Sequence, residues 1–263
     1  MKKAMMYLLL ALGITLVGMF VCGAVVGFIA GFIDGYYGYE IGTTTSMNLM
    51  VYTGSASGVL LCVILNWVFL KQGYAEYSMG RIPKRRAIRI RVVAGMMLTM
   101  AGLAVLHCLM NELSHDAESD TLVKEVYAWM HQHPIYSVLI LGIAEATGNL
   151  IVYGAVLREI LEWKHRPAII IPVFSIFVGL FSIFAGNPML MVSGFLVAVF
   201  EALVYEYTRS IIPIIIGDAV FWIVTMCLVG IPTQTWWSLL AWVLATIGIP
   251  LALKTMEPYK PID

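Results

Sequence analysis

Apolar stretches about as long as a membrane-spanning helix follow one another through the whole of this sequence. A transmembrane helix needs about 20 consecutive, mostly apolar residues. Hydrophobic residues make up 60% of the chain and charged residues only 12%, whereas soluble domains carry about 25% charged residues. The sequence therefore predicts an all-α polytopic membrane bundle, a single integral membrane domain over residues 1–263. The eight predicted spans are 4–32, 46–70, 92–110, 135–161, 168–184, 189–206, 211–229 and 236–253.

Basic residues predict how this bundle is oriented, because short cytoplasmic loops are enriched in Lys and Arg. If the N-terminus lies inside and the chain crosses eight times, 15 of the 16 basic residues fall in cytoplasmic segments. Only Lys124 falls outside, in the acidic loop 111–134, for which we expect an interfacial helix. The distribution predicts an integral membrane protein with both termini in the cytoplasm.

The segment 71–91 interleaves basic and apolar residues, a pattern typical of stretches that contact anionic lipid headgroups. No aromatic stacking platform for bases accompanies it, and the net charge of the chain is zero. We therefore expect the lipid bilayer, and no nucleic acid, as a partner. The four cysteines lie within apolar spans without paired spacing, so the sequence indicates no metal site and no cofactor.

Several polar side chains interrupt the apolar spans. Ionisable residues at such positions are costly and usually face the interior of a bundle. Asn149 follows Glu145 by four residues, and Tyr205 follows Glu201 by four, so each pair shares a helix face. Two interpretations stay open: a shared polar cavity, or separate residues that serve packing. The candidate cavity residues are Glu145, Asn149, Glu201, Tyr205 and Asp218.

His107 lies late in the third predicted span and allows two interpretations. It could donate a hydrogen bond into the cavity, or it could lie near the outer surface, close to the 111–134 loop. The position of His107 beside the loop favours the second interpretation.

The stretch "FLVAVFEALVYEYTRSIIPIIIGDAVFW", residues 195–222, carries a recognisable pattern. It resembles the CPBP family, the CAAX prenyl endopeptidases and bacteriocin-processing or immunity proteins also called the Abi family. Members show Tyr-x-x-Thr-Gly-Ser, a proline shortly after, and then His-x-x-x-Asn. Here Arg209 replaces the glycine. The matching positions are Tyr205, Thr208, Ser210 and Pro213.

Two upstream stretches extend the resemblance over residues 143–222. "GNLIVYGAVLREIL" resembles the first family motif, Glu-Glu-x-x-Phe-Arg-Gly, and Gly154 matches its glycine. "RPAIIIPVFSIFVGL" resembles the second motif, an apolar helix with Phe-x-x-x-His. The resemblance implies a CPBP-like core within the bundle, an ancestry among intramembrane endopeptidases, and a place in a bacterial or archaeal cytoplasmic membrane.

The motif residues themselves depart from the family. No histidine follows His165, and the second-motif histidine maps to Leu180, or to Phe181 if the register slips by one residue. A general base must accept a proton near neutral pH, and an oxyanion needs preorganised donors. The resemblance therefore implies a degenerate member from which no catalytic residue is expected. The positions that match the family site are Gly148, Asn149, Tyr153, Leu180, Asp218 and Trp222.

Three functions follow as hypotheses. The first is a non-catalytic homologue that binds a hydrophobic peptide or a membrane-protein partner, with bacteriocin immunity as one such role. The second is an active intramembrane CAAX-type endopeptidase in which Glu145 and Asp218 form a rearranged carboxylate pair. The third is ion or proton transport through an intramembrane carboxylate cluster. We expect the first, because nearly every catalytic group of the family is missing.

Overall fold

The structure is a computed structural model, and the chain divides in it into two compact units, Met1–Ala75 and Glu76–Asp263. Eight residues of the first unit are described, and only the second unit concerns the site. The predicted spans 4–32 and 46–70 and the segments 71–91 and 111–134 lie largely outside the described residues. Those described are 24, 25, 28, 31, 32, 35, 36, 64, 86–113, 128, 132–135, 137, 148–163, 166–181, 188–228 and 235–253.

All the secondary-structure elements described in the second unit are helices, and no strand occurs among the described residues. The last four predicted spans and the span 92–110 each coincide with one of these helices, and the described part of 135–161 is largely helical too. The elements are α1 (Arg86–Leu113), a π-helix (Leu150–Leu157), α2 (Arg158–Trp163), α3 (Pro167–Phe181), α4 (Pro188–Thr208), α5 (Ile212–Leu228) and α6 (Thr235–Leu253).

In the part of the chain that the structure describes, three helices are long and apolar enough to cross a membrane: Ile90–Met110, Leu190–Thr208 and Trp236–Leu253. Two further helices there, Pro167–Leu180 and Ile212–Leu228, are apolar but shorter. These lengths and compositions are those of a membrane protein with transmembrane helices. The count of eight spans and the side on which the termini lie stay predictions.

Small residues bring α1 and α6 close together. A Cβ added to Gly102 would lie 2.9 Å from the backbone oxygen of Ala241, and one added to Gly95 would meet the backbone of Ala252. Thr99, between these glycines, donates its hydroxyl to the carbonyl of Gly95 at 2.8 Å. Because hydrocarbon surrounds the helices of a membrane protein on the outside, such close backbone packing is a main source of helix association.

One face of α1 forms the centre of the core. It carries Met96, Met100 and Leu103, which recur at helical spacing and are buried. This face packs against α5, where Gly217 leaves room for Met96 and Met100. The helix α4 packs against α3 on one side and against α1 on the other. The interior of the second unit therefore lies between α1, α3, α4 and α5.

The turn between α4 and α5 sets the angle at which α5 enters this core. Arg209 has a φ of 48°, in the left-handed region, and its amide donates to the carbonyl of Tyr205 at 2.7 Å. The Thr208 hydroxyl donates to the carbonyl of Val204 at 2.7 Å. Pro213 stands in the first turn of α5, where its missing N–H costs no helical hydrogen bond.

Candidate polar cavity

The region just before α2 is wound as a π-helix, Leu150–Leu157. Such wide turns are rare and occur often at functional sites, because the extra residue per turn redirects side chains. Here the preceding Asn149 and the enclosed Tyr153 both point into the interior, and their exposed fractions are 5% and 1%. The π-helix thus supplies two polar side chains to the core.

Two carboxylic acids meet these side chains. Glu201, in the middle of α4, accepts a hydrogen bond from the Tyr153 hydroxyl at 2.5 Å. Asp218, in the first half of α5, accepts one from the side-chain amide of Asn149. Both acids are buried. Glu201 and Asp218 also line one and the same cavity.

The two hydrogen bonds form a buried polar network that joins the π-helix region to α4 through Tyr153 and Glu201, and to α5 through Asn149 and Asp218. In a low-dielectric interior such a network specifies the relative placement of the helices that carry it.

This network borders a cavity of about 350 Å³. Polar groups occupy one part of its wall, and aliphatic and aromatic side chains occupy the rest. Small-molecule sites commonly have this composition, with a few placed polar groups in an apolar pocket. The lining residues are His107, Gly148, Asn149, Val152, Tyr153, Val178, Leu190, Ser193, Gly194, Val197, Ala198, Glu201, Asp218, Phe221 and Trp222.

The predicted cavity residues divide into three groups. The structure brings Asn149, Glu201 and Asp218 together around this cavity. Tyr205 is buried behind it, with its ring centroid 6.4 Å from that of Tyr153, but it does not line the cavity. Glu145 lies outside the described residues.

The positions that the resemblance assigns to the family site also separate clearly. Five of them line the cavity, and Leu180 does not. The side chain of Leu180 is 39% exposed and lies away from the cavity, and its match to the second motif stays a prediction, as does the alternative match to Phe181. The five that line the cavity are Gly148, Asn149, Tyr153, Asp218 and Trp222.

The helical period explains why Leu180 on α3 lies away from the cavity. Its buried face carries Ile171, Phe174 and Ser175, and one turn further this face reaches Val178, which lines the cavity. Leu180 is two residues beyond Val178, about 200° around the helix. Phe174 and Val178 are four residues apart, as are the two residues of the Phe-x-x-x-His motif, and this pair lies on the cavity side of α3.

His107 lines the cavity. Its position beside the 111–134 loop had instead favoured a place near the outer surface. Its Nδ1 lies 2.9 Å from the hydroxyl of Ser193, and its ring packs edge-on against Phe221. A signal was present in the sequence, because His107 continues the stripe of Met96, Met100 and Leu103 at helical spacing. Ser193 and Gly194, which had no such signal, complete this side of the wall.

The described residues contain no group of three or more His, Cys, Asp and Glu side chains that could hold a metal ion. The arrangement offers two buried carboxyl groups, each with one hydrogen-bond donor, and an imidazole on the wall of the same cavity. Comparison with protein-family models, with curated proteins and with solved structures finds no match to this chain.

Proposed function

We propose that this chain is a CPBP-like integral membrane protein whose cavity binds a hydrophobic peptide segment without cleaving it. The observation that carries the proposal is the placement of Gly148, Asn149, Tyr153, Asp218 and Trp222 around one cavity. These are positions at which the family would carry its catalytic groups. A protein that keeps this cavity but lacks the catalytic groups can still bind a peptide without hydrolysing it.

The residues present explain why cleavage is not expected. Trp222 and Gly148 provide neither a base nor a metal ligand. His107, whose Nδ1 is hydrogen-bonded to Ser193, is not at a position that the resemblance assigns to the catalytic site. An ionised Asp218 would repel the oxyanion that forms when water attacks a peptide carbonyl, and losing one oxyanion donor costs about a hundredfold or more in rate. The apolar wall formed by Val152, Val197 and Phe221 suits an apolar side chain.

The proposal includes the number of membrane spans and the side of the membrane on which the termini lie. Eight spans with both termini in the cytoplasm account for the positions of 15 of the 16 basic residues. The partner would be a hydrophobic peptide or the membrane segment of another protein, and bacteriocin immunity is a role that such binding would serve. The membrane would be the cytoplasmic membrane of a bacterium or an archaeon.

The proposal is tested by site-specific photocrosslinking combined with a cleavage assay. A benzophenone amino acid is placed at Val197, which lines the cavity, and as a control at Trp242, which is 73% exposed on α6. Reconstituted protein is illuminated with prenylated and leader-type apolar peptides. We expect crosslinks at position 197, few at position 242, and intact peptide by mass spectrometry. Absence of crosslinks at both positions would refute peptide binding.

One observation favours a second function, an active endopeptidase with a rearranged carboxylate site. The sequence suggested Glu145 and Asp218 as the pair; Glu145 lies outside the described residues, and a second acid, Glu201, lines the same cavity as Asp218. Paired carboxyl groups are the arrangement with which aspartic proteases activate water. Cleavage that disappears in both Glu201→Gln and Asp218→Asn, and persists in Glu162→Gln, would establish this function in place of the first.

A further inference from the structure

The volume of the cavity limits which part of a peptide it can hold. The cavity measures about 350 Å³, a little over twice the volume of about 150 Å³ at which an apolar protein cavity binds benzene. This is room for a bicyclic aromatic group and its methylene link, but not for two apolar residues together with their main chain. The cavity therefore has the size of a pocket for one large side chain.

Aromatic rings form one part of the wall. The rings of His107 and Phe221 meet edge to face with 5.3 Å between their centroids, and those of Phe221 and Trp222 with 5.6 Å. All three residues line the cavity. Aromatic groups that meet in such edge-on or offset geometry interact more strongly than the area they bury would give. This wall therefore favours an aromatic occupant over an aliphatic one of equal size.

The hydroxyl hydrogens on the wall are already directed at protein acceptors. The Tyr153 hydroxyl donates to Glu201, and the Ser193 hydroxyl donates to the carbonyl of Leu190 at 3.0 Å. Because a serine has only one hydroxyl hydrogen, the 2.9 Å bond between Ser193 and His107 takes its hydrogen from Nδ1 of the imidazole. In a neutral imidazole the other ring nitrogen is then an acceptor.

The carboxyl groups add further acceptors to this wall. An ionised carboxyl group has two oxygens with about four lone-pair sites. The bond from Asn149 to Asp218 uses one of these sites, and the bond from Tyr153 to Glu201 uses another. A ligand that brings an N–H or O–H group can bond to these oxygens, whereas a ligand that brings only acceptors is repelled by them. The polar part of the wall therefore selects a hydrogen-bond donor.

We propose that the cavity binds one aromatic side chain whose ring carries a hydrogen-bond donor, the indole of a tryptophan or the phenol of a tyrosine. This inference rests on the proposed function and names the side chain by which the bound peptide is anchored. Such side chains combine an apolar body with a polar tip, and the cavity wall combines apolar and polar parts in the same way. A free indole or phenol presents the same chemistry, and the test separates the two sources.

The test is isothermal titration calorimetry on the full chain in lipid nanodiscs with indole and with benzofuran, which has nearly the same shape. Benzofuran carries a ring oxygen, an acceptor, where indole carries its N–H. Empty nanodiscs give the heat of partitioning into lipid, which is subtracted. We expect indole to bind at least about fivefold more tightly, the ratio that one added hydrogen bond gives. Equal affinities for the two compounds, or absence of binding by both, would overturn the inference.

A matched pair of substitutions on α3 locates the bound ring. Val178 lines the cavity, and Val173 is 50% exposed on the same helix. Val178→Phe fills part of the cavity and should weaken indole binding at least about tenfold, whereas Val173→Phe should leave it unchanged. Gly148→Leu is a second blocking variant, because a Cβ at Gly148 meets no atom within 4 Å and the larger side chain has room. Unchanged affinity in both blocking variants would place indole elsewhere and overturn the inference.

Two conservative substitutions test the requirement for a donor. Asp218→Asn and Glu201→Gln each exchange an acceptor oxygen for an NH₂ donor, which offers a partner to the oxygen of benzofuran. We expect the preference for indole over benzofuran to fall in both variants. Glu162→Gln removes a carboxylate outside the cavity that pairs with Arg158 and should keep the preference. A preference that survives in every cavity variant that folds would contradict recognition of the donor by these acids.

Peptides identify the source of the ring and separate this inference from the proposed function. Leader-type apolar peptides with a single tryptophan are titrated beside the same peptides with leucine in its place. Tighter binding of the tryptophan peptide supports a peptide anchor, and equal binding with the indole preference retained assigns the pocket to a free aromatic molecule. Peptide crosslinks at Val197 without any preference for indole would overturn this inference and leave the proposed function standing. Preference for indole without peptide crosslinks would refute the proposed function and keep the pocket for a small aromatic ligand.

Discussion

The side-chain amide of Asn149 donates a hydrogen bond to the carboxyl group of Asp218, which lies 69 residues later in the chain. The bond joins the start of the π-helix region to α5 through the interior of the second unit. Both side chains are buried, so no solvent is at hand to replace a lost partner. The change in the free energy of unfolding on substitution of Asn149 or Asp218 therefore measures what this hydrogen bond contributes to stability.

The first prediction compares two substitutions at Asp218. In Asp218→Asn the new carbonyl oxygen still accepts from the amide of Asn149. Asp218→Leu removes this acceptor and leaves the buried Asn149 amide unsatisfied, at a cost of about 1–3 kcal/mol. We expect the Asn variant to unfold thermally close to wild type and the Leu variant to unfold at a clearly lower temperature. Equal midpoints for all three proteins would mean that Asp218 has no buried partner.

The second prediction concerns the bond between Tyr153 and Glu201. Tyr153→Phe removes the hydroxyl and keeps the ring, which packs edge-on against Phe174 at 5.6 Å between centroids. We expect a loss of about 1–2 kcal/mol in the free energy of unfolding, because the carboxyl group keeps its other contacts. A double-mutant cycle with Glu201→Gln, followed by chemical unfolding in mixed micelles, isolates the coupling between the two side chains. A coupling energy of zero would contradict the bond.

The third prediction tests the close packing of α1 and α6. A Cβ at Gly102 meets the backbone oxygen of Ala241 at 2.9 Å, and a backbone atom has little freedom to move away. We expect Gly102→Ala to lower the free energy of unfolding by about 1–3 kcal/mol, the usual effect of overpacking. The control is Gly148→Ala, where no atom lies within 4 Å of the added Cβ. A Gly102→Ala variant as stable as the control would show that the helices are further apart.

The helices of the second unit could be predicted from the sequence, and the register of their faces could not. Long apolar runs with polar ends define where a span begins and ends, and the observed helices follow these limits. On α3, however, apolar residues surround the whole helix, so composition does not indicate its buried face. Val178 lines the cavity and Leu180 does not, and only the packing of α3 against α4 decides which face is buried.

The prediction that Asn149, Glu201 and Asp218 lie around one cavity rested on a different kind of information from the prediction of the helices. Spacing placed Asn149 on a helix face, but the π-helix, α2, α3 and α4 lie between Asn149 and Asp218 in the chain, and no local pattern encodes their contact. The expected proximity rested on the arrangement of motifs in the CPBP family. The π-helix at Leu150–Leu157 had no sequence signal, because hydrophobic periodicity at a single wide turn differs little from that of an α-helix.

The fourth prediction concerns orientation in the membrane. Cysteines introduced as Ser119→Cys, in the acidic loop, and Ser78→Cys, in the basic segment, are treated with a membrane-impermeant maleimide on intact cells. We expect labelling at position 119 alone, because Lys and Arg concentrate on the cytoplasmic side. The wild type, whose four cysteines lie within predicted spans, gives the background. Labelling at position 78 in intact cells, with position 119 protected, would reverse the topology.

The last prediction addresses Arg209, which replaces the glycine of the family motif and holds a φ of 48°. A left-handed conformation costs a residue with a Cβ about 1–2 kcal/mol, and glycine adopts it freely. Arg209→Gly and Arg209→Ala both lose the 2.7 Å ion pair with Glu206, so their difference reports the backbone alone. We expect the Gly variant to exceed the Ala variant by about 1 kcal/mol in the free energy of unfolding, measured by denaturant titration in mixed micelles. An Ala variant of equal or greater stability would show that the turn between α4 and α5 does not require the left-handed conformation.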